Sequence, residues 1–371
     1  MDKVGRQMML VVGKETIDLK KEKLATRFFS DEKVKRYVLG RNKNTQNLLS
    51  AIAIDGFIDD FTDMTEWLGK PVFKSSDILN KNDVIVVSCS LAIYPHTAIK
   101  NLQHAGFKYI LDYLELVKYS NINLSIEFID EAKQDIELNW NKYNYIFSKI
   151  KETKSRKIYS DLINFRQNRN LSYLVDYKVD QIGQYFEDFL NFTDNEVFVD
   201  AGGYDGQTSI EFIKRCPTYK SIYIFEPSKE NLTLAKKNLK DFKNVNFISK
   251  GLSNQKETLR FDTGSGSASS ISENGTIEIE VDTLDTLVTE NVTFIKMDIE
   301  GAESLAIDGM KNHILNDYPK MAISVYHKVD DLWKIPEQIL AIRNDYDLFI
   351  RHYTEGTDET VMFFIPKQMH G

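Results

Sequence analysis

Glu196-Val-Phe-Val-Asp200-Ala-Gly202-Gly203-Tyr204-Asp205-Gly206 is the stretch whose reading decides the fold. Its apolar run shows no polar alternation, which is the texture of a strand covered on both faces of a parallel sheet. The strand enters a glycine turn, where backbone can approach a ligand as no side-chain-bearing residue could. A helix beginning near Gln207 aims its free N–H groups at the same space, and that suits an anionic group. A plain turn between a strand and a helix uses the same letters, so downstream sequence has to decide between the two.

Two spacings do so. A dinucleotide loop needs G-x-G-x-x-G, and Tyr204 stands where its second glycine belongs. Asp200, Gly202 and Gly206 instead spell D-x-G-x-x-x-G, the pattern of loops that bind S-adenosylmethionine (SAM). About twenty residues beyond Gly206, the next strand ends in Phe225-Glu226-Pro227. An acid at the tip of the second strand is placed to hold both ribose hydroxyls of an adenosine cofactor. Pro227 then fixes the turn before a helix capped by Ser228. A third strand leads to Lys250-Gly251-Leu252-Ser253-Asn254, where Gly251 and Ser253 are expected beside the adenine; a surface turn reads equally well.

Lys296-Met-Asp298-Ile-Glu300-Gly-Ala-Glu303 closes a fourth strand. Alternation places Lys296, Asp298 and Glu300 on one side of it. Three ionised groups at a buried strand's end are costly unless paired or used. Either they form an idle lysine–carboxylate pair, or Asp298 and Glu300 orient a hydroxyl, act as base or hold a divalent cation. His327 closes SVYH, and a neutral imidazole beside a carboxylate is a suitable proton acceptor.

The 371 residues suit two folded units, and the hydrophobic fraction of 42% is that of a globular protein. Three parts are expected: a smaller Rossmann-like α/β domain over 1–120, a helical connector over 121–192, and a class I Rossmann-like α/β domain over 193–371. The strand DVIVVSCS and the helix HTAIKNLQHAGF set the rhythm of the first part. The second has helical spacing and no proline. A net charge of −8 lacks the basic surplus that grips a phosphate backbone, so nucleic acid is an unexpected partner. Cys89 and Cys216 form no paired motif and read as free thiols in a reducing compartment. No stretch is long and apolar enough to cross a bilayer, and a cytoplasmic address is expected. The Gly/Ser-rich run Gly264–Gly275 reads as a flexible loop between two hairpin strands.

With VDAGGYDG, IFEPS, GSGSASS, VDTLDTL, IKMDIEGAE and SVYHKVDDLWKIPEQIL in this order, the tract from about 195 to 366 resembles the FkbM family of SAM-dependent methyltransferases. The resemblance implies SAM as cofactor and O-methylation of a sugar, as in a surface polysaccharide or its precursor, or of a related small molecule. It implies cofactor contacts at Asp200, Gly202, Gly203, Tyr204, Gly206, Glu226 and Pro227, and Asp298, Glu300 and His327 near the reacting oxygen. Tyr204 departs from the histidine expected in many members, which weakens transfer of side-chain roles in that loop. The N-terminal tract resembles small Rossmann-like modules of bacterial polysaccharide sugar-modifying enzymes. Substrate recognition or homo-oligomerisation, through this domain or the connector, is its expected role. A binding or scaffold protein on a methyltransferase fold is the competing reading. A dehydrogenase is disfavoured by both glycine loops, and a nucleic-acid methyltransferase by charge and the missing D/N-P-P-Y motif.

Overall fold

A computed structural model describes residues 9–15, 17–124, 126–262, 270–271 and 277–367. The N-terminal part opens with helix α1 (Leu19–Ser30), capped by the Asp18 carboxylate on the N–H groups of Lys20 and Lys21. Strands β1 (Lys35–Leu39), β2 (Gly56–Ile58), β3 (Glu66–Trp67), β4 (Lys70–Phe73), β5 (Val84–Ser88) and β6 (Tyr109–Asp112) form one sheet in the order β3-β4-β2-β1-β5-β6. Every pairing is parallel except β3 with β4. Helices α2 (Lys43–Ala51) and α3 (Pro95–His104) make crossovers, and α4 (Tyr113–Tyr119) follows the last strand. The connector folds into α5 (Glu127–Leu138), α6 (Trp140–Lys149) and α7 (Thr153–Asn168).

The C-terminal part begins with β7 (Val197–Ala201), α8 (Gln207–Arg215), β8 (Ser221–Phe225), α9 (Lys229–Asn238) and β9 (Val245–Ile248). A small sheet follows, built from β10 (Gly251–Leu252), β11 (Glu257–Asp262), β12 (Ser270–Ile271) and β13 (Ile277–Asp282). The expected hairpin is the antiparallel pair β11–β13, with Glu257 opposite Val281. Apart from Ser270–Ile271, the Gly264–Gly275 loop lies outside the described residues. The chain continues through α10 (Leu284–Leu287), β14 (Phe294–Met297), α11 (Glu303–Asp308), β15 (Lys320–Ser324), α12 (Asp331–Ile342), β16 (Tyr346–His352) and β17 (Thr360–Pro366). The large sheet has the order β16-β17-β15-β14-β7-β8-β9, with only β17 antiparallel to its neighbours. Strand order therefore reverses between β7 and β14. A crevice outside the carboxyl ends at such a point is where open α/β sheets take ligands.

Pleat alternation divides the core. In β5, Ile85 and Val87 face one hydrophobic cluster while Val84 and Val86 face another. In β7 the split is Val197, Val199 and Ala201 against Phe198. The inner faces of both sheets and the connector share one continuous cluster, running from Leu10 through Tyr113 and Tyr159 to Phe364. Tyr143 and Trp333 seal the connector to α12: the Tyr143 hydroxyl and the Trp333 Nε1–H both donate to Asp135 Oδ2, at 2.6 and 2.8 Å.

One buried group in this core carries a pH signature. His352 of β16 is buried, with Nδ1 2.9 Å from Thr360 Oγ1 and the Tyr177 ring edge-on at 5.2 Å. Burial, with a smaller contribution from Arg166, pushes its pKa down from 6.5 to about 3. Between those values the unfolded chain binds the proton that the native ring refuses, so stability is full above about 6.5 and falls on acidification. At about 1.4 kcal/mol per pH unit, urea unfolding of the wild type should lose about 2 kcal/mol more than His352→Gln between pH 6.5 and 5. Equal losses would refute this.

Candidate active site at the carboxyl ends of β7, β14 and β15

The glycine loop is shaped first by the protein around it. Gly202 has φ +74°, and a Cβ there would lie 1.8 Å from the Asp298 carbonyl oxygen. Gly206, at φ +85°, precedes the first turn of α8, and its Cβ would lie 2.6 Å from Leu239 of the segment after α9. A Cβ on Gly203 would sit 2.3 Å from Ile224 of β8. The loop is thus pressed between the ends of β8 and β14, and these contacts require glycine with or without a ligand.

Asp200 is fully buried, and its carboxylate is engaged internally. Oδ2 accepts from the Ser209 hydroxyl at 2.7 Å, and Oδ1 lies 3.2 Å from Lys296 Nζ. Lys296 also donates to the carbonyls of Gly202 and Ala201. This lysine–carboxylate pair ties the end of β7 to the end of β14. Glu226 is nearly buried and holds the loop from the other side. Its Oε2 accepts the Tyr204 N–H at 3.0 Å and Oε1 the Ser228 N–H at 2.9 Å. Burial raises its pKa despite these two donors. Tyr204 has φ +47° and an exposed ring, and Pro227 is half-buried before the Ser228 cap. Gly251 pairs with Val281 in the small sheet, and Ser253 is buried beside it, its N–H bonded to the Asp282 carbonyl.

Asp298, Glu300 and His327 converge. β14 stops at Met297, and the Asp298 N–H still bonds the Ala201 carbonyl at 3.0 Å. Alternation holds from Lys296 to Asp298, since both approach Tyr185: Nζ lies 5.2 Å from its ring and Oδ2 accepts its hydroxyl at 2.7 Å. Beyond that the pleat is lost. Glu300 (φ +55°) and Gly301 (φ +89°) make a left-handed turn, and this turn brings Glu300 back beside Asp298. His327, three residues past β15, has Nε2 3.3 Å from Asp298 Oδ1 and 3.6 Å from Glu300 Oε2. Its Nδ1 is 3.0 Å from Oε1 of Glu303, the first residue of α11, which also accepts the Ile299 N–H.

The electrostatics follow from this crowding. Burial alone would lower the His327 pKa, but the carboxylates of Glu303, Asp298 and Glu300 outweigh it and raise the ring to about 9. Glu300 is pushed to about 7, first by burial and then by Asp298, Glu303 and Asp358, against the opposing pull of His327. Asp331 and Glu359 also rise to about 7, chiefly by burial. Glu303, Tyr185, Asp331, Asp358 and Glu359 were not singled out from the sequence. Glu303 and Asp331 lie inside motifs already quoted, and only the i, i+3 step from Glu300 to Glu303 onto a helix start hinted at the former. Among the described residues, one donor atom each of Asp298, Glu303 and His327 lie within 4.8 Å of one another.

The N-terminal part reaches this site through the β16–β17 loop. Glu355 and Thr357 donate their N–H groups to the carbonyls of Ile93 and Leu91. Thr97 donates its N–H and hydroxyl to the Glu355 carboxylate at 2.7 and 2.6 Å. Next in this loop come Asp358 and Glu359, whose charges act on Asp298 and His327. Glu355→Ala removes two bonds to a charged acceptor and should cost about 2 kcal/mol in urea unfolding. An unchanged midpoint would contradict that. A separate cavity of about 780 Å³ opens at the amino edge of the sheet, lined in part by Glu196, Thr293, Asp317 and Lys320. It shares no residue with the cluster.

Residues 200–353 match the model of the methyltransferase FkbM domain. No curated protein matches the chain. Among solved structures, the chain is similar to a methyltransferase FkbM from Methylobacillus flagellatus KT, with 21% identity, 94% of each chain covered and a TM-score of 0.74. It also overlaps a precorrin-6y C5,15-methyltransferase from Geobacter metallireducens GS-15 (19% identity, 47% of this chain and 81% of that one, TM-score 0.31). A third is fibrillarin from Aeropyrum pernix with natively bound SAM (10% identity, 47% and 67%, TM-score 0.32). The first likeness covers nearly all of both chains, so the N-terminal sheet and connector belong to the shared fold. The chain therefore has a methyltransferase fold, and its residues 200–353 match the methyltransferase FkbM domain.

Proposed function

We propose that this protein transfers a methyl group from SAM to a hydroxyl oxygen of a sugar or related small molecule. The observation that carries this reading is the convergence of Asp298, Glu300, Glu303 and His327 at the carboxyl ends of β14 and β15, beside the Gly202–Gly206 loop.

The Gly202–Gly206 loop would hold SAM, and the free N–H groups at the start of α8 would suit its carboxylate. Glu226 already accepts two N–H groups, and an ionised carboxylate has about four acceptor positions, which leaves room for the ribose hydroxyls. Gly251 and Ser253 are assigned to the adenine side. The acceptor oxygen attacks the sulfonium methyl in line, the C–S bond breaks, and S-adenosylhomocysteine leaves with the bonding pair. The hydroxyl proton passes to Glu300, the member of the cluster balanced near neutrality and reached by solvent. His327 and Asp298 orient the attacking oxygen.

The carboxylate-rich wall favours a neutral polyhydroxylated acceptor over an anionic one, and a surface-glycan sugar or its precursor fits. The N-terminal domain is assigned to the acceptor side, since it holds the loop that bears Asp358 and Glu359. Among the described residues no helix is long and apolar enough to cross a membrane.

Calorimetric titration with SAM is the first test, and an absence of binding would end this reading in favour of a non-catalytic scaffold. Mass spectrometry of surface glycans from cells with and without the protein is the second. One methyl increment should disappear from a defined sugar.

A further inference from the structure

We propose that Asp298, Glu303 and His327 form a binding site for a divalent cation of Mn²⁺ or Mg²⁺ type. Each offers one ligand atom, and the three atoms lie within 4.8 Å of one another. Two ligands on opposite sides of an ion of this class, each at about 2.1 Å, are about 4.2 Å apart. Hence the three span an ion of this class with at most a small inward shift.

The independent observation is a set of buried polar atoms with no hydrogen-bond partner. Asp298 Oδ1, Glu303 Oε2 and both ring nitrogens of His327 are all in this condition. The Glu303 side chain is 1% exposed and that of His327 9%, so water does not readily satisfy them. Buried polar atoms are paired in nearly all native sites, and orphans this close together, one ring nitrogen of His327 among them, call for a missing group. An imidazolium alone does not supply it. Nδ1 lies 3.0 Å from Glu303 Oε1 and Nε2 3.3 Å from Asp298 Oδ1, yet neither approach is aligned as a hydrogen bond. A cation needs no such N–H alignment and would stand in place of the ring proton.

The outer partners are also present. Tyr185 donates to the other oxygen of Asp298, and the Ile299 N–H to Oε1 of Glu303, which fixes both carboxylates as second-layer hydrogen bonds do in metal sites. Two carboxylates suit Mn²⁺ or Mg²⁺, and the imidazole favours Mn²⁺ of the two, with further positions open to water or an acceptor hydroxyl. Glu300 lies outside the ligand set, so it stays free for the proton transfer assigned above. The proposal deepens the methyl-transfer reading and depends on it only for the use made of the ion.

The test uses the full-length protein freed of metal by a chelator, with Mn²⁺ binding followed by electron paramagnetic resonance and SAM binding by calorimetry. One Mn²⁺ per chain is expected, displaced by excess Mg²⁺. Glu303→Gln and His327→Ala should each weaken Mn²⁺ at least about tenfold, with circular dichroism and SAM affinity retained. Should Glu303→Gln fail to fold, the near-isosteric Asp298→Asn gives the same readout. Absence of Mn²⁺ binding, or binding indifferent to these variants, overturns the site. Mn²⁺ bound without SAM would keep the metal site and refute the methyl-transfer reading instead.

Discussion

Gly202→Ala should leave the C-terminal domain without a stable carboxyl edge. Two penalties combine at this residue. A non-glycine side chain at φ +74° costs about 1–3 kcal/mol. The new Cβ would also stand 1.8 Å from the Asp298 carbonyl oxygen, which is backbone and cannot rotate away. Parting β7 from β14 to relieve that contact would strain the Asp298 N–H bond to Ala201 and the Lys296 bonds to Gly202 and Ala201. Overpacking of this kind adds about 1–3 kcal/mol, so a total near 4 kcal/mol is expected, a large share of an ordinary domain's stability. Urea unfolding gives the stability, and calorimetry should show SAM binding lost with it. Gly203→Ala is the useful contrast. Its Cβ would meet a side-chain methyl of Ile224, not backbone, so the rotamer can give and the loss should be smaller. A Gly202→Ala protein that unfolds like the wild type would refute this account of the loop.

Asp298→Asn should reduce methyl transfer by about 10²–10⁴-fold, the range for a group acting on a reacting proton or its acceptor. The change is near-isosteric, and the Tyr185 hydroxyl can still donate to the amide oxygen, so the fold should persist. The lost negative charge is the one 3.3 Å from His327 Nε2 and among those acting on Glu300. Methylation is read as the methyl increment on surface glycans in cells carrying each variant, with SAM affinity measured in parallel. Glu300→Gln should cause a loss of the same order. The double variant should lose little more, since groups acting as a unit are not additive. Wild-type methylation in both single variants would mean that the proton leaves by another route, even with SAM binding intact.

Several of these features were legible in the sequence. The apolar Val197–Val199 run, the three loop glycines and the acid about twenty residues beyond them are local signals, and periodicity together with backbone sterics is enough to read them. The site proved harder. Lys296, Asp298 and Glu300 look alike on a pleat, but the strand ends at Met297. Lys296 turns back to Asp200, while Glu300 reaches Asp298 through a left-handed turn. His327 reads as a free imidazole until Glu303 is found against its other nitrogen, a contact made only when the fold brings the start of α11 against the segment after β15.

By itself, the sequence determined the α/β class, the placement of the glycine loop and which strand ends bear acids. These follow from the order of short segments, each of which senses only its neighbours along the chain. The tertiary structure alone decided that Gly202 is required by a carbonyl nearly a hundred residues away. It also decided that Asp200 is spent on Lys296, that Asp298, Glu303 and His327 face one point, and that both sheets share a single core with the connector. Charge, burial and steric contact act through space. Their outcome depends on which segments the fold brings within a few ångströms, and spacing along the chain does not record that.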